Sequence, residues 1–306
     1  MNTYQDRLWD FFCAASLAGI WPRYIEPKLL ATTKIDIALP QLPKSLEGLR
    51  ILQFSDLHLH DNVSNSFLSK LQKKINETSP DIIVFTGDFI CYSILSNRSR
   101  LKTFLKGLHA PLGCYCIFGN HDYEEGHYDA LETTKPIIKR AFQRIFSKVP
   151  NQKEQNVKTH SELIDCLHQT PFHILDNASK TISVGHSALN LCGLGEYTLG
   201  RCLPKQAFKN YDERFPGIIL SHNPDSIPLL NDFPGEIILC GHTHGAQVNL
   251  PWLWKRFTLL ENAKYKRGLI QENNKWIYVN RGVGSIIPFR LFSIPEILLL
   301  TLRGKK

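Results

Sequence analysis

The sequence predicts an α/β fold built on parallel strands, and three observations lead there. Short apolar runs at 50–54, 81–86 and 113–118 are separated by stretches of helical spacing, so strand and helix alternate. Each run passes straight into Gly or polar residues, as a buried strand does at its end. The side chains able to do chemistry stand at those ends, and a parallel sheet binds its ligands at the carboxyl ends of its strands.

Taken in order, residues 1–48 read as an N-terminal arm. The apolar run at 11–21 is too short to span a bilayer, and it lacks the basic start and small-residue cleavage site of a signal peptide. The chain therefore reads as untranslocated. Trp9, Phe11, Phe12, Leu17, Trp21 and Tyr24 suit a segment lying in a membrane interface, and equally an arm packed on the domain.

The domain proper reads as residues 49–306. Arg50–Phe54 is a strand ending in Ser55-Asp56-Leu57-His58. Residues 65–76 place Phe67, Leu68, Leu71 and Ile75 on one helical face with lysines opposite. The strand at 81–86 runs into Gly87-Asp88, a helix covers 98–108, and the strand at 113–118 ends in Gly119-Asn120-His121-Asp122. Residues 124–170 interrupt this pattern as a helical insertion. Its stripe Ile137, Ile138, Ala141, Phe142, Ile145, Phe146 and Val149 is flanked by Lys135, Lys139, Arg140, Arg144 and Lys148. Such a stripe rests on its own core or forms a lid or membrane face, where Phe142 and Phe146 would meet substrate. Shorter strands follow at 172–175, 181–184 and 189–191. The strand at 217–220 ends in Ser221-His222, and Ile237–Cys240 ends in Gly241-His242-Thr243-His244-Gly245. Strands at 276–280 and 296–302 close the chain on either side of Arg281-Gly282-Val283-Gly284.

A net charge of +8 favours anionic partners: nucleic acid, phosphorylated small molecules or an acidic membrane face. The eight cysteines form no CxxC pair and read as reduced core thiols of a cytoplasmic protein.

Were residues 241–244 extended, His242 and His244 would share a face, as would Asp56 and His58. Such pairs suit two ions held about 3.5–4 Å apart. Carboxylates, an amide and imidazoles without a thiolate match Mn²⁺, Fe or Zn²⁺ in a catalytic site better than a closed structural zinc. One carboxylate must bridge two ions, and Asp88, isolated after Gly87, is placed for it. His60 shares the face of His58 and reads as a substrate contact or a solvated histidine. Asp122 follows His121 directly and, on extended chain, points away from it.

The series Asp56-x-His58, Gly87-Asp88, Gly119-Asn120-His121-Asp122, His222 and Gly241-His242-x-His244 resembles the calcineurin-like metallophosphoesterases. The resemblance runs from about Arg23 to the C-terminus and is strongest to the YkuE/YaeI-like branch. Gly245-Ala246-Gln247 stands where that branch usually has Gly-Gly-Gln. It implies a sandwich of two mixed sheets flanked by helices. It also implies two divalent ions, Mn²⁺ before Fe or Zn²⁺: Asp56, His58, Asp88 and His244 on the first, and Asp88, Asn120, His222 and His242 on the second. His121 is implied off the ions, as the catalytic residue beside the transferring phosphoryl group. The likeness extends to the diphosphatases of lipid A assembly. It thereby implies a nucleotide-linked lipid substrate, UDP-2,3-diacylglucosamine, and peripheral attachment at the cytoplasmic face of the inner membrane. Trp252, Trp254 and Arg281 are then candidate membrane or substrate contacts, and no nucleic acid is expected. A soluble or nucleic-acid-directed phosphodiesterase is the alternative. A non-catalytic scaffold ranks last, because every ligand is present.

Overall fold

The computed structural model describes residues 3–124, 157–251, 254–258 and 260–305. The insertion stripe with Phe142 and Phe146, and Trp252, lie outside the described residues.

The strands are β1 (Ala31–Leu39), β2 (Arg50–Phe54), β3 (Ile82–Thr86), β4 (Cys114–Ile117), β5 (Phe172–Ile174) and β6 (Ala178–Val184), then β7 (Ser187–Gly193), β8 (Gly217–Ser221), β9 (Ile237–Cys240), β10 (Gly268–Glu272), β11 (Lys275–Val279) and β12 (Glu296–Gly304). They form two six-stranded sheets, ordered β1-β12-β2-β3-β4-β5 and β10-β11-β9-β8-β7-β6. Parallel pairing runs from β2 through β5 and from β7 through β9 to β11. The β12–β2, β6–β7 and β10–β11 pairs are antiparallel, so both sheets are mixed. Within residues 31–48, the end of the predicted arm, β1 pairs with β12 from Ala31↔Glu296 to Leu39↔Gly304.

The period of two along each strand sorts side chains into three layers. Ile51, Ile82, Val84, Ile218, Leu220, Ile237 and Leu239 fill the space between the sheets. Their neighbours Leu52, Phe54, Ile83 and Phe85 face outward onto α2 (Asn65–Glu77), α3 (Arg98–Lys106) and α4 (Ser161–Leu167). On the other side Ile219, Ile238 and Cys240 meet Ala207 of α5 (Pro204–Ala207), Ile227 and Leu230. Each fully buried Leu, Ile or Phe contributes about 1.5–3 kcal/mol, which is why continuous apolar runs become central strands. Helix α2 starts where Ser64 Oγ accepts the Phe67 N–H at 3.1 Å. All eight cysteines are free; six are core thiols, but Cys202 is half-buried and Cys13, on the first helix, is exposed rather than in the core.

The chain begins with α1 (Thr3–Ala15), whose residues from Tyr4 to Ala15 are all exposed, Phe11 by 72%. This helix buries none of its faces, so its apolar residues do not pack on the domain. Among the described residues, no helix is long and apolar enough to cross a membrane.

Candidate metal centre

The carboxyl ends of β2, β3 and β4 from one sheet meet those of β8 and β9 from the other. Hydrogen bonds join these ends. Gln53 Nε2 donates to Thr86 Oγ1 and to the Cys240 carbonyl, both at 2.9 Å, and the His242 N–H reaches Asp56 Oδ1 at 3.0 Å. The extended pairs expected from the sequence do not form. Asp56, His58, Asp88, His242 and His244 all have positive φ, between 44° and 69°. Each lies past the last residue of its strand, where the backbone leaves the regular extended conformation. The left-handed turn aims the side chain across the end of the sandwich instead of along its face. A non-glycine residue held so costs on the order of 1–3 kcal/mol, and such strain concentrates at functional sites. Gly87, at φ 91°, has no alternative: a Cβ there would come within 2.6 Å of the Gly119 nitrogen and of His222 Nδ1.

These turns gather the side chains into two adjoining groups. In the first, His58 Nε2 lies 3.0 Å from His244 Nε2, which is 3.5 Å from Asp56 Oδ1. In the second, Asn120 Oδ1 stands 3.1 Å from His222 Nε2 and 3.0 Å from His242 Nδ1. Asp88 Oδ2 lies between them, 3.4 Å from His58 Nε2 and 3.2 Å from His222 Nε2. Asp56, His58 and His244 form one group able to hold a metal ion, and Asp56, Asp88 and His222 form another. His121 forms a third such group with His58 and Asp88.

Protonation fits these residues to a cation. Burial takes His58 down to about 4 and His242 to about 3, and burial with the charges of His58 and Arg290 takes His244 well below the imidazole range. Their lone pairs are therefore free near neutral pH. Burial opposes ionisation of Asp88, yet His222, His121 and His58 hold it well below the carboxylate range. Burial also opposes protonation of His222, but Asp88 and Asp56 raise it well above its usual value. A divalent ion beside His222 and Asp88 would take the place of that proton. Burial pushes Asp56 up to about 7, and a cation beside it would reverse that. His222 Nδ1 is 2.7 Å from the Thr86 carbonyl, which keeps that nitrogen protonated and turns the Nε2 lone pair inward.

His121 differs. Its Nδ1 accepts the backbone N–H of Tyr92 at 3.0 Å, so the neutral ring carries its proton on Nε2. That nitrogen is then a donor in the neutral ring, although His121 also stands in a group able to hold a metal ion.

The calcineurin-like phosphoesterase family matches residues 49–246. This chain belongs to that family. It is 40% identical over 310 residues to the UDP-2,3-diacylglucosamine pyrophosphatase LpxG of Chlamydia muridarum, covering 94% of this chain and 93% of the relative. The LpxG of Chlamydia trachomatis is 39% identical over 317 residues, with 96% and 95% covered. The uncharacterized metallophosphoesterase YkuE of Bacillus subtilis is 30% identical over 290 residues, with 93% and 89% covered. The protein is thus a metallophosphoesterase, a hydrolase from a family that binds divalent metals.

Around this phosphoesterase centre stand further residues, of which only Asp122 belonged to a sequence motif. Asp122 turns from His121 and aims both oxygens at the Asp88 turn. Arg290, fully buried, donates to the carbonyls of Arg281 and Ser293 at 2.8 and 2.9 Å, and its Nη2 is 3.2 Å from His244 Nδ1. Glu26 is 1% exposed and accepts Trp21 Nε1–H at 2.8 Å and the Phe292 N–H at 3.0 Å. A buried charged residue far from any motif was the one available signal, and sequence does not report burial. Of the remaining candidates, His60 Nδ1 donates to the His58 carbonyl at 2.7 Å, outside both ligand groups. Trp254 lies under the Lys266 ammonium, 4.2 Å from ring centroid to Nζ. Arg281 pairs with Glu296 at 2.5 Å.

Proposed function

We propose that this phosphoesterase cleaves the diphosphate of UDP-2,3-diacylglucosamine, releasing UMP and 2,3-diacylglucosamine 1-phosphate. The observation that carries this reading is the 40% identity to an LpxG along nearly the whole of both chains. The complete ligand set in both groups supports it.

Two divalent ions, Mn²⁺ in this reading, would acidify water towards a pKa of ~7 and offset charge on the phosphoryl oxygens. Asp56, His58 and His244 would hold one ion, Asn120, His222 and His242 the other, and Asp88, which stands between the two groups, would serve both. His121 offers its Nε2 proton to a phosphoryl or leaving oxygen, because the Tyr92 N–H fixes the other nitrogen as acceptor. The catalytic domain takes in β1 together with residues 49–306, and the segment that precedes β1 is its membrane contact. In α1, Tyr4, Leu8, Trp9, Phe11 and Phe12 are exposed together, as suits a helix lying at the cytoplasmic face of the inner membrane.

The test is to incubate the full chain with Mn²⁺ and either UDP-2,3-diacylglucosamine or UDP-N-acetylglucosamine, and to identify products by mass spectrometry. Faster release of UMP from the acylated substrate, by a hundredfold or more, is expected. Equal turnover of the two would refute the lipid substrate and favour a soluble phosphodiesterase.

A further inference from the structure

A cleft of about 420 Å³ lies between the N-terminal segment and the loop before β12, lined by Trp21, Glu26, Arg267, Arg281, Phe292 and Ile294. Its walls are held rigidly. Glu26 accepts from Trp21 on one wall and from Phe292 on the other, at 2.8 and 3.0 Å, and the Arg290 N–H donates to the Pro22 carbonyl at 2.7 Å. Phe292 sits at φ 58°, a left-handed conformation that leaves its ring 54% exposed at the rim.

The floor of the cleft adjoins the metal centre. A Cβ on Gly245, the residue after His244, would come within 2.8 Å of Arg281 Cγ and 3.2 Å of Arg267 Cδ. Both arginine stems therefore pack directly over that glycine. Glu296 neutralises Arg281 at 2.5 Å. Arg267 donates to the Phe292 carbonyl at 2.8 Å, and no carboxylate among the described residues forms an ion pair with it. The cleft thus runs from an inner end beside the ligands, where Arg267 and Arg281 stand with the carboxylates of Glu296 and Glu26, to an apolar mouth at Trp21, Phe292 and Ile294.

We infer that this cleft receives one fatty acyl chain of the substrate, with Arg267 meeting the anionic or carbonyl oxygens at its head. The inference rests on the lipid reading above and deepens it, for nothing in that reading says where a chain would lie. The chemistry agrees with the layout. In a 2,3-diacylated sugar the 2-acyl group begins on the carbon next to the one bearing the diphosphate. With phosphorus at the metals, that chain starts close to the Gly245 floor. Its far end would emerge near residues 16–25, which lead back to the exposed α1.

The experiment measures binding of n-dodecyl phosphate and n-butyl phosphate to the Mn²⁺-loaded full chain by calorimetry, below the micelle concentration. Both carry the same head, so the ratio of their Kd values reports the chain alone. Wild type is expected to bind the dodecyl compound at least tenfold more tightly. Phe292→Gly, which keeps the left-handed backbone, and Ile294→Ser should each bring the ratio to within threefold of one. Trp21→Ala should do the same, and melting curves show whether each variant is folded. Trp9→Ser with Phe12→Ser on α1 should leave the ratio as in wild type. A ratio that survives all the cleft changes, or that falls only with the α1 changes, overturns the inference. No UDP-lipid enters this measurement, so failure of the proposed substrate and failure of the cleft are read separately.

Discussion

The carboxylate of Asp122 accepts the backbone N–H of Asp88 at 2.8 Å. Its second oxygen takes the N–H groups of Phe89 and Ile90, at 2.8 and 3.2 Å, and the first also takes that of Gly119 at 2.9 Å. Four donors fill the lone pairs of both oxygens, leaving none for a proton. Burial and the charge of Asp88 push this carboxyl up to about 8, but the anion is the form that four N–H groups select. Asp122 therefore holds the left-handed Asp88 turn that sets one metal group beside the other.

Asp122→Asn is isosteric and tests that role. An amide NH₂ would face two N–H donors, leaving buried donors unsatisfied at about 1–3 kcal/mol each. The expected result is a lowered melting temperature, weaker Mn²⁺ binding and at least a hundredfold loss of turnover. Wild-type metal affinity together with normal turnover would show that the Asp88 turn holds itself.

Asp88→Ala and His121→Ala should separate binding from chemistry. Asp88 stands between His58 and His222, so its loss should empty the centre of metal and abolish hydrolysis. His121 presents a proton rather than a lone pair, so His121→Ala should keep its metal while turnover falls about 10²–10⁴-fold. Metal content measured by atomic absorption decides. Loss of metal from the His121 variant would make it a ligand, as its place beside His58 and Asp88 permits.

The buried imidazoles set a pH dependence for the chain stripped of metal by chelation. His58, His242 and His244 are depressed below 6.5 in the fold, to about 4 and about 3 for the first two. Between pH 6.5 and 4 the unfolded chain binds protons at these positions that the folded chain refuses, so stability should fall as pH falls. Asp56, raised to about 7, and Asp176, Glu196 and Asp225, raised by burial, work in the opposite sense. The imidazole share is therefore read as a difference: from pH 6.5 to 4.5 the melting temperature of wild type should fall relative to that of His242→Gln, which lacks one of these groups. Equal pH dependence of the two would mean that His242 is protonated in the folded chain.

Helix α1 offers the membrane test. Liposomes rich in anionic lipid should sediment the wild-type chain, and changing Trp9, Phe11 and Phe12 together to Ser should release most of it. Trp254→Ser should change little, because that ring lies under Lys266 rather than in solvent. Equal sedimentation of the triple variant would place the membrane contact elsewhere.

Most strands and their order along the chain were legible because a central strand, buried on both faces, must be an unbroken apolar run, as at Ile82–Thr86 and Ile237–Cys240. β1 and β10 were missed because edge strands expose one face: β1 reads Ala-Thr-Thr-Lys-Ile-Asp-Ile-Ala-Leu, and only Ile37 and Leu39 are buried. The candidate ligands were legible too, since carboxylate, amide and imidazole at strand ends limit the chemistry whatever the packing. Their conformation was not. His242 and His244 share a site through left-handed turns instead of the two-residue period of a strand, and a turn's φ depends on what packs against it. The assembly of each ligand group from both sheets, the four donors on Asp122, and the buried Glu26 that ties residues 21–26 to the Phe292 loop all join segments distant in the chain. Local sequence determined which residues could act. Only the stacking of two sheets decided which of them meet, because burial and contact across layers belong to the folded chain as a whole.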